Sequence, residues 1–308
     1  MKFSIIIPTY NRCNVLKLTL NAYLKQTFLD HIKEIIIVDD GSTDETRSVV
    51  NDFCEKSPIQ ILYFYQENKG PAQARNKAIY AASGDILLIT GDDVVPDPRL
   101  VEEHYLTHKK HDFNSNISCL GKTIWPIDKK VTPFMAYIQE MGLQFGYSII
   151  TDENDVQFNF FYTSNISLQR NFLLEDKLFD TEFPYAVWED IELGYRLKKR
   201  GLQIIYNKNA IGYHHHNIYF ASFRKRQELC GYSAHIFYNK HPELRDFLAI
   251  NSSKNENPLV KLNVKIAEMF CLFADKFLPM SFPGFYDLVM GYYYNKGVVN
   301  YKRNFLEK

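Results

Sequence analysis

The sequence lacks the features typical of secreted, membrane-spanning or nucleic-acid-binding proteins. Its five cysteines are scattered singly without a CxxC pair, which excludes a zinc knuckle and a disulfide framework and favours a cytoplasmic location. No run of about 18 apolar residues occurs, so no spanning helix is predicted. Lys+Arg and Asp+Glu both number 36 in the 308 residues, and a chain without net positive charge is not expected to bind nucleic acid.

Glycine-rich phosphate loops are also missing. No GxGxxG follows the first apolar run, and no GxxxxGK[ST] occurs anywhere. These absences exclude the usual backbone cradles for dinucleotides and for P-loop triphosphates. A bound nucleotide would therefore need its phosphate charge offset in another way, most simply by a divalent ion held on carboxylates.

The first 90 residues alternate short, Ile-rich runs with helical patterns. Continuous apolar runs are typical of strands buried on both faces, and their alternation with helices predicts an α/β fold with a Rossmann-like, mostly parallel central sheet flanked by helices. Ser42 and Glu45 have the spacing of a helix capping box. The predicted strands are Phe3–Ile7, Ile35–Val38, Ile59–Tyr65 and Ile86–Ile89, and the predicted helices are Val15–Gln26, Ser42–Glu55 and Ala72–Ala82.

Beyond residue 115 the pattern becomes mixed. Strands are predicted in 116–125, 158–170, 202–207 and 210–216, and helices in Pro133–Met141, Asn171–Asp176, Asp190–Arg200 and 221–240. The polar stretch 251–258 predicts a linker. We therefore expect a catalytic domain over 1–240, with a nucleotide-binding part (1–115) and an acceptor part (116–240). An aromatic-rich helical extension over 251–308 would form either a packed helix pair or a surface resting on a membrane.

Acidic residues follow several of the predicted strands, and ligands of doubly wound sheets bind beyond those strand ends. Asp92 and Asp93 would suit Mg²⁺ or Mn²⁺, although Gly-Asp-Asp is also good turn chemistry. Asp39 and Asp40 could accept hydrogen bonds from a nucleobase or ribose, or could shape a turn. Arg75 would face an anion or an acid in the crevice, or lie on a solvated helix face.

Two later segments also carry candidate chemistry. Glu189 and Asp190 begin a predicted helix with no basic partner one turn away, and such a carboxylate suits a general base. In the triple histidine, His214 and His216 would share one face of a strand, and one of them could complete a metal site. Solvated histidines on an aromatic-lined strand are the alternative.

Together these segments resemble the family 2 glycosyltransferases over about residues 3 to 240, on the blocks "SIIIPTYNR", "IIIVDDGSTDET", "NKGPAQARNKAIYAASGDILLI", "GDDVVPDPRLVEEH", "TSNISLQR…LFDTEF" and "WEDIELGYRL". The resemblance implies the GT-A fold, a nucleoside site at Thr9, Asp39 and Arg75, and a DXD-like metal motif. It implies Asp190 as catalytic base, with Glu189 helping to place the acceptor. The expected metal ligands are Asp93, Asp92 and His214. The expected donor-binding residues are Pro8, Thr9, Tyr10, Arg12, Asp39, Asp40, Asn68, Lys69, Gly70, Arg75 and Asp92.

The resemblance further implies an inverting, hexosyltransferase-like enzyme that uses Mn²⁺ or Mg²⁺. It would move a sugar from a nucleotide-sugar donor, a UDP-sugar by expectation, to a hydroxyl in cell-surface polysaccharide or glycolipid synthesis. The expected location is the cytoplasm, and the membrane alternative for the C-terminal extension would place the protein at the inner face of the membrane. Gly91 departs from the motif, because many members have an acid there, and this leaves Asp93 as the main ligand, shifts coordination to His214 or weakens metal dependence. The alternatives are a sugar-phosphate nucleotidyltransferase, disfavoured by the Gly-poor "PTYNRCN", and a non-catalytic nucleotide-sugar-binding protein.

Overall fold

The computed structural model describes residues 1–250 and 257–306, the last five of these by backbone alone. The strands are β1 (Phe3–Thr9), β2 (Ile32–Asp39), β3 (Gln60–Tyr65), β4 (Ile86–Thr90), β5 (Val94–Pro96), β6 (Ile117–Ile124), β7 (Asn165–Gln169) and β8 (Gln203–His214). The helices are α1 (Cys13–Tyr23), α2 (Thr46–Lys56), α3 (Pro71–Ala81), α4 (Leu100–Lys110), α5 (Pro133–Glu140), α6 (Arg170–Leu174), α7 (Glu189–Lys199), α8 (Phe220–Lys240), α9 (Pro258–Phe277) and α10 (Pro283–Leu306).

The eight strands form one sheet in the order β3-β2-β1-β4-β7-β6-β8-β5. The β1–β2, β1–β4, β2–β3 and β6–β8 pairs are parallel, and the β4–β7, β6–β7 and β5–β8 pairs are antiparallel. The predicted Rossmann-like, mostly parallel sheet is therefore confirmed. The continuous Ile runs are explained as well, because β1, β2 and β4 are buried along nearly their whole length between helices on both faces.

Compact packing divides the described residues into two units. The first unit (Met1–Lys129, Ile149–Thr181 and Glu189–His216) contains the whole sheet with α1–α4, α6 and α7. The second unit (Lys130–Ser148, Glu182–Trp188 and Asn217 onward) contains α5 and α8–α10. This division differs from the predicted domain boundary at residue 240, because α8 groups with the C-terminal helices.

Two glycines allow α8 and α10 to pack closely within the second unit. A Cβ on Gly231 would collide with the carbonyl oxygen of Tyr294, and one on Gly297 with the carbonyl oxygen of Glu228. Side chains at these two positions would hold the helix backbones apart. No helix in the part of the chain that the structure describes combines the length and the apolar character needed to cross a bilayer.

Three local predictions were wrong. The two strands expected over 202–207 and 210–216 are one strand, β8, whose pairing with β6 jumps from Asn207 to Ile211. Residues 158–170 form a strand only from Asn165, after a 3-10 turn at Phe158–Phe160. Ser42 and Glu45 make no capping box, since α2 begins at Thr46 and has no side-chain cap. Of the predicted linker, residues 251–256 lie outside the described residues.

A buried polar cluster supports the irregular part of β8. The Asn165 amide donates to the carbonyl oxygen of Ala210 in that irregular part (2.9 Å), and its own oxygen accepts from His104 Nε2 (2.8 Å). His104 Nδ1 in turn accepts from Ser167 Oγ at 2.8 Å. Burial lowers the pKa of His104 to about 4, so this imidazole is neutral at pH 7.

Candidate active site

The strand ends meet at one edge of the sheet, as predicted. Thr9 at the end of β1 donates from Oγ1 to Asp92 Oδ2 at 2.8 Å, and the backbone of Asp40 donates to the carbonyl oxygen of Thr9 at 2.9 Å. Thr19 on α1 donates to the backbone oxygen of Asp92 at 2.8 Å. The sequence analysis missed Thr19, although a threonine between Leu16 and Leu20 on the apolar face of a helix was a usable signal.

Arg12 is the protein group that neutralises the paired acids after β4. Its Nη1 lies 3.3 Å from Asp92 Oδ1 and also contacts Asp93 Oδ2. Burial, followed by the charge of Asp93, raises the pKa of Asp92 to about 6. Burial also acts to raise the pKa of Asp93, yet its cationic surroundings hold it below the ordinary value. The two acids therefore share one cation, and Asp93 is the one that ionises first as pH rises.

The short strand β5, which the sequence analysis did not predict, brings His214 to Asp93. Val94 pairs with His214 across the two antiparallel strands, and the backbone N–H of His215 donates to the carbonyl oxygen of Asp93 at 2.8 Å. His214 Nε2 consequently lies 3.6 Å from Asp93 Oδ2, with its ring 5.4 Å from that of Trp125 between centroids. Burial lowers the pKa of His214 to about 4, and Arg12 is therefore the cation that stabilises the Asp93 carboxylate at neutral pH.

These side chains fit a divalent ion as a partial ligand set. A neutral imidazole nitrogen 3.6 Å from a carboxylate oxygen is a separation that two ligands of one ion can span, given bonds of about 2.0–2.2 Å. In the ranges 1–250 and 257–306, no group of three His, Cys, Asp or Glu residues could by itself hold a metal. Asp93, His214 and Asp92 would therefore need further ligands from water and from a bound diphosphate, as Mg²⁺ sites commonly do.

Gly91 lies directly beside this ligand set. A Cβ at this position would come within 2.9 Å of Asp93 Oδ1. Any side chain here, including the acid that the resemblance suggests, would press on the Asp93 carboxylate. The departure at Gly91 thus leaves Asp93 room to adopt its position beside His214.

Glu189 and Arg75 form a buried ion pair that no local spacing revealed. Arg75 Nη1 donates to Glu189 Oε1 at 2.8 Å, and the two side chains are 11% and 3% exposed. Arg75 thus faces an acid, one of the two partners predicted for it. Burial and the neighbouring Asp190 outweigh the attraction of Arg75 and raise the pKa of Glu189 to about 7. Its second oxygen, Oε2, is buried without a hydrogen-bond partner.

Asp190 is half-buried in the first turn of α7. Its Oδ1 accepts from the backbone N–H of Ile191 at 2.9 Å, and Thr163 Oγ1 lies 3.5 Å from its Oδ2. Thr163 stands just before β7, and the first residue of β7, Asn165, pairs with Thr90 at the end of β4. Asp190 therefore lies near the same sheet edge as Asp92 and Asp93. Thr163 is a second residue that the sequence analysis did not single out, although it begins the block "TSNISLQR" on which the resemblance partly rests.

Asp39 and Asp40 are almost completely buried and hydrogen-bonded within the protein. Asp39 accepts from the backbone N–H of Ser42 (2.8 Å) and from Tyr63 Oη (2.7 Å). Asp40 accepts from the side chain of Gln66 (2.7 Å) and from the backbone N–H groups of Lys69 and Gly70, both at 2.8 Å. Asp40 thus shapes the loop that leads into α3, while Asp39 keeps acceptor capacity at the end of β2.

The other predicted donor-binding residues occupy the surface around these acids. Tyr10 is 47% exposed, and Asn68 and Lys69 are exposed as well. Pro8 is a half-buried residue near the end of β1, and Gly70 caps α3 with a φ of 86°, a conformation that glycine adopts without strain. Among described residues, the first unit thus contains all the predicted donor-binding and metal-binding residues together with the predicted catalytic base.

Comparison with known proteins accounts for this arrangement. The model of the family described as "Glycosyl transferase family 2" matches residues 4–176, more than half of the chain. The chain belongs to glycosyl transferase family 2. Among its relatives is the validoxylamine A glucosyltransferase of Streptomyces hygroscopicus subsp. jinggangensis, 27% identical over 274 residues, a match that covers 78% of this chain and 61% of the relative. The chain thus spans less than two thirds of the length of that glycosyl transferase.

Two solved structures share the fold. TarS 1-349 from Staphylococcus aureus has a TM-score of 0.58 at 20% identity, covering 98% of this chain and 89% of its own, and it has also been solved with UDP and with UDP-GlcNAc. The mannosyltransferase PcManGT from Pyrobaculum calidifontis, solved with GDP-Man and Mn²⁺, has a TM-score of 0.66 at 17% identity, covering 98% and 87%. These similarities show that the first unit has the GT-A type of fold.

Proposed function

We propose that this chain is an inverting glycosyltransferase that transfers a hexose from a nucleotide-sugar donor, a UDP-sugar in the first instance, to an acceptor hydroxyl. The observation that carries the proposal is the position of Asp190 near the sheet edge that also holds Asp92, Asp93 and His214. A proton acceptor and a site for a charged leaving group would thus flank one crevice. Family membership supports transfer, and the complexes of TarS and PcManGT support a nucleotide-sugar donor.

The chemistry that we assign to the chain's own residues begins with Asp190. Its carboxylate would take the proton of the acceptor hydroxyl as the acceptor oxygen attacks the anomeric carbon from the face opposite the leaving diphosphate. Glu189, buried against Arg75, would hold the start of α7 in place and so orient Asp190. This supporting role follows from its burial, which leaves little of Glu189 for an acceptor to touch.

Donor binding is assigned to the loops around the strand ends. Thr9, Asp39 and the neighbouring loop residues would receive the nucleoside, and the Asp92–Asp93 pair would lie beside the diphosphate. Asp93, Asp92 and His214 would hold Mn²⁺ or Mg²⁺, which when bound offsets negative charge on the departing nucleoside diphosphate. Cell-surface polysaccharide or glycolipid is the proposed acceptor class, and the cytoplasm is the proposed location.

The proposal can be tested by measuring release of nucleoside diphosphate from UDP-, GDP- and dTDP-sugars, with and without Mn²⁺. The anomeric configuration of the product, determined by NMR, would report inversion. Asp190→Asn should reduce kcat below a tenth of the wild-type value, a barrier increase of more than about 1.4 kcal/mol, with donor affinity retained. Asp52→Asn, at an exposed position on α2, is the matched control and should be fully active.

Other outcomes would overturn parts of the proposal. Release of pyrophosphate from a nucleoside triphosphate and a sugar phosphate would indicate a nucleotidyltransferase. Donor binding without turnover across a broad acceptor panel would indicate a binding protein. An Asp190→Asn variant that keeps more than a tenth of the activity would refute the assignment of the base.

A further inference from the structure

Helix α9 in the second unit has two apolar faces, and only one of them is covered. Val264, Ala267, Cys271 and Ala274 are buried against the rest of the protein. On the other side lies a stripe of exposed apolar side chains, each between 53% and 69% exposed. The stripe consists of Leu259, Leu262, Ile266, Met269, Phe273 and Phe277.

The stripe is regular and long. Its members are separated by three or four residues, which places them in a single line along the helix. It extends over about 27 Å, since an α-helix rises 1.5 Å per residue. Met280 (59% exposed) in the turn after α9 and Phe285 (42%) in α10 add to the exposed apolar surface of this region. Such a contiguous surface differs from the single apolar residues scattered over most proteins, and it marks an interaction site.

The charges on α9 indicate what this surface meets. Lys261, Lys265 and Lys276 are exposed and lie along one edge of the stripe. The two acids of the helix are not available to balance them. Glu268 is half-buried, contacts Arg224 and accepts from Tyr293 Oη at 3.0 Å, and Asp275 is half-buried with a pKa raised by burial. The exposed residues of α9 are therefore apolar or cationic, apart from the neutral Asn263, and none of its acids is exposed.

We propose that this face of α9 binds the surface of an anionic lipid bilayer, with the helix lying in the plane of the interface. An apolar stripe bordered by lysines is the pattern of interfacial amphipathic helices, whose apolar side chains enter the acyl boundary while the cations meet anionic headgroups. Pairing with α9 of a second copy is disfavoured, because it would bring six lysines together with no exposed acid on either helix to offset them. The proposal is independent of the transfer chemistry assigned to the first unit.

Flotation of the full chain with lipid vesicles tests the proposal. The protein should float with vesicles of phosphatidylcholine mixed with phosphatidylglycerol, should float poorly with phosphatidylcholine alone, and should be released by high salt. Replacing Leu262, Ile266 and Phe273 together by Ser should reduce the bound fraction at least tenfold without changing the thermal midpoint, since all three are exposed. Replacing Leu18 and Tyr80 by Ser, at exposed apolar positions of the first unit, is the matched control and should leave binding unchanged.

A second variant separates the role of charge from that of apolar contact. Changing Lys261, Lys265 and Lys276 together to Glu should abolish the preference for anionic vesicles. The proposal is overturned if the wild-type chain floats with neither vesicle, or if the Ser variant floats as well as wild type. It is also overturned if light scattering shows a dimer that the Ser variant converts to a monomer while neither protein binds lipid.

Discussion

Replacing Glu189 by Gln should make the stability of the protein, relative to wild type, increase with pH. Glu189 is 2% exposed, and its pKa is raised to about 7 by burial and by the charge of Asp190, against about 4.3 for an unfolded glutamate. An acid with a raised folded-state pKa keeps its proton where the unfolded chain has released it. Stability is consequently lost as pH rises from about 4.3 to 7, and the loss then stays constant.

The size of the effect follows from that difference. A separation of about 2.7 pKa units corresponds to about 3–4 kcal/mol of ionisation penalty in the wild type above pH 7. Glutamine cannot ionise, so its advantage in the free energy of unfolding should grow by about 3 kcal/mol between pH 4.5 and pH 8.5. Arg75 can still donate to the amide oxygen in the variant. The amide NH₂ group would lie where Oε2 is now buried without a partner, and this adds a cost of about 1–3 kcal/mol that does not vary with pH.

Urea unfolding of both proteins across this pH range is the appropriate assay, with the midpoint and slope recorded at each pH. Glu55→Gln, at an exposed position of α2, is the control and should show a difference near zero at every pH. An advantage that grows by less than about 1 kcal/mol over the range would contradict the burial argument. Loss of activity in Glu189→Gln alongside the pH-dependent gain in stability would indicate that the carboxylate is retained for function despite the cost of ionising it.

Three further predictions concern other residues of the first unit, and one of them uses a control variant in the second unit. Arg12→Met should bind Mn²⁺ about tenfold more tightly in titrations without donor, because the guanidinium competes for the same carboxylates, and weaker binding would contradict this. Gly212→Ala should lower turnover at least tenfold, because the added Cβ would lie only 2.5 Å from a side-chain atom of β5. Gly291→Ala, at an exposed position of α10, is the control. It should raise the free energy of unfolding by about 0.5–1 kcal/mol and leave turnover unchanged. His104 and His108 are buried and neutral, with pKa values of about 4 and about 3, so the free energy of unfolding should fall as pH drops from about 6.5 towards 4. His104→Gln should remove about 3 kcal/mol of that loss, measured by urea unfolding across this pH range. An unchanged pH profile in the variant would refute the prediction.

The parts of the fold that were predictable are those governed by local pattern. Four continuous apolar runs became β1–β4 within one or two residues at most ends, because a strand buried on both faces has nowhere to place polar side chains. Gly201 ends α7 with a φ of 93°, as its position suggested. The predicted capping box does not form, although Ser42 and Glu45 match the motif in residue type and spacing. Asp44 instead accepts from the backbone N–H groups of Thr46 and Cys13, at 3.0 Å each.

The clustering of the strand-end residues was predictable from the sequence, whereas the contacts that these residues make were much less so. The acids at the strand ends were found because topology brings those ends together. Their partners were not, since Arg12 and Asp93 are separated by 81 residues, and Arg75 and Glu189 by 114. Strand β5 has only three residues, too few for an alternating pattern to be recognised, yet it determines where His214 lies.

That three-residue strand allows the choice of substrate to change without a change in the spacing of the proposed metal ligands. Asp93 immediately precedes β5 and His214 ends β8, so the distance between these proposed metal ligands is set by a main-chain ladder. The loops that would choose the sugar and the acceptor are not part of this ladder. Substitutions in those loops could therefore give a descendant a new substrate without moving either ligand, and one ion-binding geometry could serve a lineage with many different products.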